Sequence, residues 1–312
     1  MMSSRAGQAI GAVDIGGTKI AVAAVDARGN LLAKEETATA AKQGFESAMG
    51  RVAAMLERVS QSASVALSGI GIACTGPVNP LTGEIGNVEF LPGWQGCNPV
   101  KELARHFSLE AAMENDADAA ALAEVHWGAG RGKRSVISVT VGTGIGGGIF
   151  LNGALYRGVD GAHPEIGHHV IDATGPLCGC GARGCWEILA SGPAMAKRFR
   201  AVGVDTAQTI CEKARIGDPA ALAAVETEAG YLGVGLANLV TLFAPETLVL
   251  SGSVMESADL FLPRIREVIG RHCGLVPSHR VALSRSALGR DAPLIGASVV
   301  WKTRGREVRA SC

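Results

Sequence analysis

The stretch Val13-Asp14-Ile15-Gly16-Gly17-Thr18-Lys19 lies between two short apolar runs, Ala9–Ile15 and Ile20–Val25. Small and β-branched residues on both sides of a glycine turn predict two strands joined by a tight hairpin. A second stretch of the same composition, Val139-Thr140-Val141-Gly142-Thr143-Gly144-Ile145-Gly146-Gly147, precedes a strand that we expect over Ile149–Leu151. The sequence therefore predicts two similar strand–turn–strand units, one in each half of the chain.

Both glycine turns have the chemistry of a phosphate-binding loop. Backbone N–H groups in such turns can surround phosphate oxygens, and two hairpins that face each other can hold a triphosphate. Asp14 beside the first turn suits a hydrated Mg²⁺ ion, which binds through few carboxylates and several waters. The open alternative is a pair of ordinary hairpins, in which glycine is common. The candidate phosphate-binding residues are Asp14, Gly16, Gly17, Thr18, Lys19, Gly142, Thr143 and Gly144.

Gly142-x-Gly144-x-x-Gly147 also matches the dinucleotide-binding fingerprint. That motif requires a helix directly after the glycines, whereas the residues that follow here predict a strand. The P-loop pattern Gly-x4-Gly-Lys-Ser/Thr does not occur in the sequence. Neither of these two nucleotide-binding folds is therefore expected.

Strand-like and helix-like segments alternate along the chain, as judged from the spacing of their apolar residues. The predicted strands outside the hairpins are Val65–Ala73, a short strand closed by Glu114-Asn115-Asp116, Val136–Val141 and Thr247–Leu250, and the predicted helices are Phe45–Val59, Pro99–Phe107, Ala117–Trp127 and Leu222–Phe243. This alternation predicts an α/β fold with its ligand at the carboxyl ends of the strands. We expect two α/β lobes around a central cleft.

Composition narrows the class of protein. The chain has 312 residues, of which 47% are hydrophobic, and 29 basic residues balance 29 acidic ones. A neutral balance gives no electrostatic footprint for nucleic acid. No uncharged apolar run reaches the roughly 18 residues that a membrane span needs, and no signal peptide is expected. These features predict a soluble, cytoplasmic protein that binds neither nucleic acid nor membrane.

Four potential metal ligands lie in one short stretch: His168, Cys178, Cys180 and Cys185. Three thiolates and one imidazole complete a tetrahedral shell for Zn²⁺ and leave no position for water, which is typical of a structural site. The alternative, ordinary buried cysteines, fits poorly with three cysteines among glycines within eight residues. A structural zinc loop is therefore predicted.

These motifs together resemble the ROK family of sugar kinases and related repressors. The matching segments, in chain order, are Asp14–Lys19, Glu114–Asp116 with its alanine-rich helix, Gly142–Gly147, Glu165–His168 and Cys178–Glu187. The resemblance covers essentially the whole chain. It implies an actin-like ATPase (ribonuclease H-like) fold, Mg·ATP as phosphoryl donor, and zinc bound by His168 and the three cysteines.

The resemblance also implies roles for individual residues. Asp116 is similar to the catalytic base of the family, and a carboxylate at a helix start suits that role, although it could instead be only a helix cap. The implied sugar ligands are Asn115, Asp116, Glu165, His168 and Glu187, and the implied adenosine-binding turn contains Gly252. Asn87 is a further candidate sugar ligand, although the family places its asparagine closer to the Pro-x-Trp element that ends here at Trp94.

The implied activity is ATP-dependent phosphorylation of the 6-hydroxyl of a hexose, with glucose as the first candidate. His163-Pro164 replaces the small residues that usually precede the family's glutamate, so N-acetylmannosamine and fructose stay open as substrates. A sugar-sensing regulator without a DNA-binding module is the alternative outside the enzymes. We expect a homodimer or homotetramer, with a smaller lobe of residues 1–116 and 294–312 and a larger, zinc-containing lobe of residues 117–293.

Overall fold

The computed structural model describes residues 8–199 and 206–310 of the chain. Its contacts divide into two compact units. The first unit comprises Met1–Arg131, Leu155–Pro164 and Arg290–Cys312, and the second comprises Gly132–Ala154 and Glu165–Gly289. The outermost parts of the predicted lobe ranges, residues 1–7 and 311–312, lie outside the described residues.

Strands and helices follow one another in the order expected of an α/β protein. The strands are β1 Gln8–Ile15, β2 Lys19–Val25, β3 Leu31–Ala38, β4 Ala66–Cys74, β5 Val78–Asn79, β6 Glu84–Ile85, β7 Ala111–Asn115, β8 Val136–Val141, β9 Ile145–Leu151, β10 Ala154–Leu155, β11 Thr247–Ser251 and β12 Ala282–Arg285. The helices are α1 Phe45–Ser62, α2 Pro99–Phe107, α3 Asp116–Trp127, α4 Trp186–Ala190, α5 Gly192–Arg198, α6 Ala207–Arg215, α7 Pro219–Phe243, α8 Ala258–His272 and α9 Ala292–Ala310.

The first unit contains a five-stranded mixed sheet in the order β3-β2-β1-β4-β7. β1 pairs antiparallel with β2 and parallel with β4, and β4 pairs parallel with β7. β1 and β2 are buried along almost their whole length, whereas β3 alternates exposed and half-buried residues, as an edge strand does. The predicted first hairpin is confirmed, with Gly16-Gly17-Thr18 as its turn.

The second unit repeats this arrangement. Its sheet has the order β10-β9-β8-β11-β12, with β8 antiparallel to β9 and parallel to β11. Both sheets therefore consist of a three-stranded meander followed by two parallel strands. The second hairpin is tighter than predicted, because the returning strand begins at Ile145 and not at Ile149. Glycines at positions 146 to 148 obscured this start, since glycine disfavours strands in general.

Helices cover these sheets, and their starts show the expected capping. Asn98 accepts a hydrogen bond from the Lys101 N–H before α2, and Asp218 accepts one from Ala221 before α7. The apolar stripe predicted along α7 is buried from Val225 to Leu239, whereas Leu222 is 46% exposed one turn after the helix begins and Phe243 at its end is half-buried. Among the described residues, no helix combines the length and the apolar character that crossing a membrane requires.

The two units differ from the predicted lobe ranges in where they divide. α3 belongs to the first unit because it packs against α9, which also covers β1 and β4. Residues 155–164 join this unit as well, through contacts described below. The first unit holds more residues than the second, whereas the sequence predicts a smaller N-terminal lobe.

Glycine permits the close approach of α9 to the first sheet. A Cβ atom on Gly71 of β4 would lie 1.7 Å from the Ala297 carbonyl oxygen, and one on Gly296 would lie 1.8 Å from the Ala119 carbonyl oxygen. Backbone atoms cannot move aside as the end of a flexible side chain can. Any larger residue at these positions therefore forces the helix away from its partners.

We expect Gly71→Ala to destabilise the protein by at least about 1–3 kcal/mol, because the added methyl overpacks the contact between β4 and α9. Urea unfolding followed by circular dichroism measures the change. Gly50→Ala in α1 is the matched control, since a Cβ there meets nothing within 4 Å and alanine favours helix. A Gly71→Ala variant as stable as this control would contradict the packing argument.

Candidate active site

The carboxyl ends of β1, β4 and β7 meet at one edge of the first sheet, because these strands run parallel. Ile15 pairs with Cys74, and Cys74 pairs with Asn115, so the three strand ends lie side by side. Asp14 precedes the end of β1, and Asp116 directly follows the end of β7. This register therefore places two carboxylates of the predicted site on either side of Cys74.

The two carboxylates influence each other's charge. Burial raises the pKa of the Asp14 carboxyl to about 7, the Asp116 carboxylate adds to this rise, and Lys19 opposes it. Burial and the same two carboxylates also raise the pKa of the Cys74 thiol well above its usual value. A cation at this edge of the sheet would favour the ionised form of Asp14, as expected of a magnesium site.

Asn115 is the cap of α3. Its Oδ1 atom accepts hydrogen bonds from the N–H groups of Ala117 at 2.9 Å and Asp118 at 3.4 Å. The Asn115 Nδ2 group adjoins Gly76, and this amide group is what remains of the side chain for a ligand. Asp116 Oδ1 also accepts from the Ala117 N–H, at 2.8 Å. The Asn115 amide can thus donate a hydrogen bond to a ligand hydroxyl, and the Asp116 carboxylate can accept one from it.

One ion pair and one histidine–carboxyl hydrogen bond hold residues 155–164 against the elements that flank Asp116. Arg157 Nε donates to Glu114 Oε2 at 2.9 Å, and the Glu114 side chain is only 1% exposed. His163 Nδ1 lies 2.8 Å from Asp118 Oδ2, and Asp118 is fully buried. The sequence did not predict either pairing. The available signal was the two acidic residues in an otherwise apolar strand end and helix, since buried carboxylates are almost always paired.

The first glycine hairpin is closed by backbone and hydroxyl hydrogen bonds. Gly16 N donates to the Lys19 carbonyl at 2.9 Å, and the Thr39 hydroxyl donates to the Gly16 carbonyl at 2.6 Å. A Cβ atom on Gly17 would lie 2.5 Å from the Phe90 Cβ atom, so Phe90 packs directly on this turn. Thr18 is exposed. The Lys19 ammonium, predicted to face phosphate, forms an ion pair with Glu36 at 2.8 Å.

The second glycine hairpin contains the other predicted phosphate-binding residues, Gly142, Thr143 and Gly144. Gly142 N donates to the Gly144 carbonyl at 2.9 Å, which closes the turn and leaves Thr143 exposed at its tip. Gly252 has a φ of 92°, and a Cβ atom there would lie 2.3 Å from the Val141 carbonyl oxygen. Only glycine combines this conformation with this close approach. The turn at Gly252 therefore adjoins the end of β8, where the hairpin begins.

The four predicted metal ligands come together in the second unit. One ligand atom from each of His168, Cys178, Cys180 and Cys185 lies within 4.8 Å of all the others. The His168 Nδ1 and Cys178 Sγ atoms are 3.5 Å apart, and the Sγ atoms of Cys180 and Cys185 are also 3.5 Å apart. A tetrahedral Zn²⁺ site would separate such atoms by about 3.6–3.8 Å. The donor set and its spacing therefore fit a four-coordinate metal ion.

The remaining predicted sugar ligands of the second unit, Glu165 and Glu187, lie within three residues of a cluster ligand along the chain. Glu165 is exposed at the start of the helical turn that carries His168, and Glu187 lies on α4, which begins directly after Cys185. The Glu187 Oε1 atom is 4.0 Å from His168 Nε2. Asn87, by contrast, belongs to the first unit, where it is exposed in the irregular stretch before the buried Trp94.

The ROK family model matches residues 10–304, which is nearly the whole chain. The protein belongs to the ROK family. A glucokinase of Thermotoga maritima is 31% identical over 311 residues, covering 94% of this chain and 96% of that protein. The resemblance noted from the sequence is thereby confirmed.

Solved structures of the family match the fold of the chain. The ROK hexokinase from Thermus thermophilus superposes with a TM-score of 0.86 at 34% identity, covering 96% of this chain and 99% of that one. A ROK glucokinase from Streptomyces griseus, solved with glucose and AMPPNP, gives a TM-score of 0.80 at 32% identity, covering 95% and 99%. The α/β fold with two mixed sheets is consistent with the expected actin-like ATPase fold.

We expect Arg157→Ala to destabilise the protein by about 3–5 kcal/mol, because it leaves the buried Glu114 carboxylate without its guanidinium partner. Chemical denaturation measures the loss. The double variant Arg157→Ala/Glu114→Gln should recover most of the stability, since the buried side chain at position 114 is then neutral. A single variant within about 1 kcal/mol of the wild type would show that the ion pair does not hold this segment.

Proposed function

We propose that this ROK protein catalyses ATP-dependent phosphorylation of the 6-hydroxyl of a hexose, with glucose as the preferred substrate. The observation that carries the proposal is the position of Asp116 at the start of α3. It lies beside the capping Asn115 and shares one sheet edge with Asp14 and the first glycine hairpin. The similarity to a glucokinase over nearly the whole length of both chains supports glucose as the substrate.

The chemistry requires few groups from the protein. The hexose oxygen forms a bond to the γ-phosphorus of ATP while the bond from that phosphorus to the β–γ bridging oxygen breaks and ADP leaves. The Asp116 carboxylate accepts the hydroxyl proton during this transfer. Asn115 Nδ2 donates a hydrogen bond that orients a sugar hydroxyl. Backbone N–H groups of the two glycine hairpins bind phosphate oxygens.

Asp14 is the residue that we expect to hold magnesium. When bound, Mg²⁺ neutralises charge on the nucleotide phosphates. Asp14 suits this role because its carboxyl is held in a buried, negatively charged position where a cation is favourable. The first hairpin adjoins it directly in the sequence, through Gly16 and Gly17.

The residues that distinguish one hexose from another are, in this proposal, those near the metal cluster. Glu165 and Glu187 accept hydrogen bonds from ring hydroxyls, and His168 offers its second ring nitrogen to a hydroxyl or to Glu187. A wrong epimer leaves such a group unpaired, which costs about 1–3 kcal/mol. This cost is enough to separate related hexoses by roughly tenfold or more.

We further propose that the ion held by His168 and the three cysteines is Zn²⁺ in a structural role. Four protein ligands fill a tetrahedral shell, so the ion has no open position for a substrate. His168 Nδ1 faces the cluster, so its Nε2 atom can face outward. The zinc site thereby fixes the orientation of the imidazole and of the turn that carries Glu165.

We expect Asp116→Asn to reduce kcat by about 10²–10⁴-fold while the Kd for glucose stays close to that of the wild type, because only the proton acceptor is lost. A coupled assay with Mg·ATP over a panel of hexoses measures turnover, and calorimetry measures sugar binding. Asp218→Asn is the matched control, since it changes the same residue at another helix start where asparagine caps equally well. Near-normal turnover of Asp116→Asn would overturn its assignment as the base.

We expect purified protein to contain one zinc ion per chain, and Cys180→Ser to lose it. The melting temperature should then fall by roughly 4–8 °C or more, which corresponds to about 2 kcal/mol for a unit of this size. Metal analysis and calorimetry measure the two effects. Cys97→Ser, outside the cluster, is the control. Normal melting of a metal-free protein would contradict the structural role.

A further inference from the structure

The segment that follows Cys185 contacts both ends of the second glycine turn. Glu187 Oε2 accepts a hydrogen bond from the Ile145 N–H at 2.9 Å, at the start of β9. Gly192 N, at the start of α5, donates to the Gly142 carbonyl at 2.8 Å, at the end of β8. Residues 187–192 therefore hold the turn from both of its sides.

Close packing reinforces these hydrogen bonds. A Cβ atom on Gly144 would lie 2.4 Å from Glu187 Oε2, so the carboxylate lies directly against the turn. A Cβ atom on Gly167, the residue before His168, would lie 1.9 Å from the Ile145 carbonyl oxygen. The hairpin thus touches Gly167, which is adjacent to the metal ligand His168, and Glu187, which lies two residues after the metal ligand Cys185.

The start of α4 is anchored firmly. Cys185 and Trp186 are fully buried, and the indole Nε1 of Trp186 donates to the Tyr231 carbonyl at 3.1 Å. α4 has only five residues, so its position depends on its surroundings more than on its own helical stability. A shift of Cys185 would therefore move Glu187, and with it the hydrogen bond to Ile145.

We propose that Glu187 is a positioning residue for the nucleotide: through α4 it couples the Cys/His cluster to the second glycine hairpin. This inference rests on the proposed kinase function, in which that hairpin binds phosphate. A carboxylate beside a phosphate site repels the phosphate, so its contribution to nucleotide binding has to be structural. Here its hydrogen bond to Ile145 fixes the turn whose N–H groups receive the phosphate oxygens.

The cluster contributes at the other end of the same carboxylate. His168 Nδ1 points toward Cys178, which leaves Nε2 facing Glu187 Oε1 at 4.0 Å. When Nδ1 binds a metal ion, Nε2 carries the proton and attracts the carboxylate. Glu187 thus lies between the cluster and the hairpin, with one oxygen toward each.

The test measures binding of Mg·AMPPNP to the zinc-loaded full-length protein by calorimetry, without sugar. We expect Glu187→Ala to weaken this binding about tenfold, because a charge-assisted hydrogen bond to the turn is lost. Glu187→Gln should restore the affinity to within about threefold, since its amide oxygen still accepts from Ile145. Glu165→Ala, the matched truncation of the other candidate sugar-binding glutamate, should leave nucleotide affinity unchanged while weakening glucose binding.

A second readout follows the hairpin itself. In the wild-type protein the Ile145 amide should exchange slowly with deuterium, and exchange should accelerate in Glu187→Ala and on removal of the metal, but not in Glu165→Ala. Equal nucleotide affinity in Glu187→Ala and wild type, or equal losses in Glu187→Ala and Glu165→Ala, would overturn the coupling alone. A wild-type protein that binds no Mg·AMPPNP would instead overturn the kinase function, and the coupling with it.

Discussion

The parallel pairing of β1, β4 and β7 is the constraint on which the candidate active site depends. It brings the ends of three strands to one edge of the sheet, so that Asp14 and Asp116 flank Cys74 although about a hundred positions separate them in sequence. A shift of one residue in this register would turn each of these side chains to the opposite face of the sheet. The close contact of Gly71 in β4 with the Ala297 carbonyl in α9 also restricts where this helix can lie on the sheet.

Buried acidic side chains on both sides of Asp116 fix the position of residues 155–164 more specifically than apolar contacts would. Glu114 and Asp118 lie on either side of it along the chain, and each is buried with a basic partner from residues 155–164. Such pairs contribute little net stability, but breaking one is costly, so they specify where a segment lies. The segment that they hold runs directly into Glu165. Residues 155–164 are thereby fixed to the strand end and the helix start on either side of Asp116.

Much of this organisation follows from the sequence because it depends on local patterns. The apolar spacing in α1, the capping by Asn115 and the two glycine hairpins are properties of a few neighbouring residues, and the structure has each of them. The four-residue Cys/His cluster is local too, since its members lie within one loop. Short-range rules of periodicity, capping and ligand spacing are sufficient for such features.

The features that the sequence missed depend on distant partners. Nothing in the sequence near Arg157 indicates that it pairs with Glu114, because 43 positions separate the two residues. The assignment of α3 to the first unit depends on α9, which lies at the other end of the chain. The early start of β9 was missed for a local reason, since its glycines have low strand propensity and the pairing with β8 overrides it. The ion pair of Lys19 with Glu36 on the neighbouring strand likewise joins residues 17 positions apart, and the phosphate contact expected of Lys19 stays a prediction.

The two sheets share one strand order but differ in the side chain that stands just before each glycine turn. Asp14 stands two positions before the first glycine of its turn, and Thr140 stands at the equivalent position in the second sheet. There the Thr140 hydroxyl lies 2.8 Å from the hydroxyl of Ser251 on the neighbouring strand, so a neutral pair replaces an acid. The first sheet therefore has a carboxyl group at this position, whereas the second has an uncharged pair of hydroxyls. A shared strand order therefore does not imply equal electrostatics at the two glycine turns.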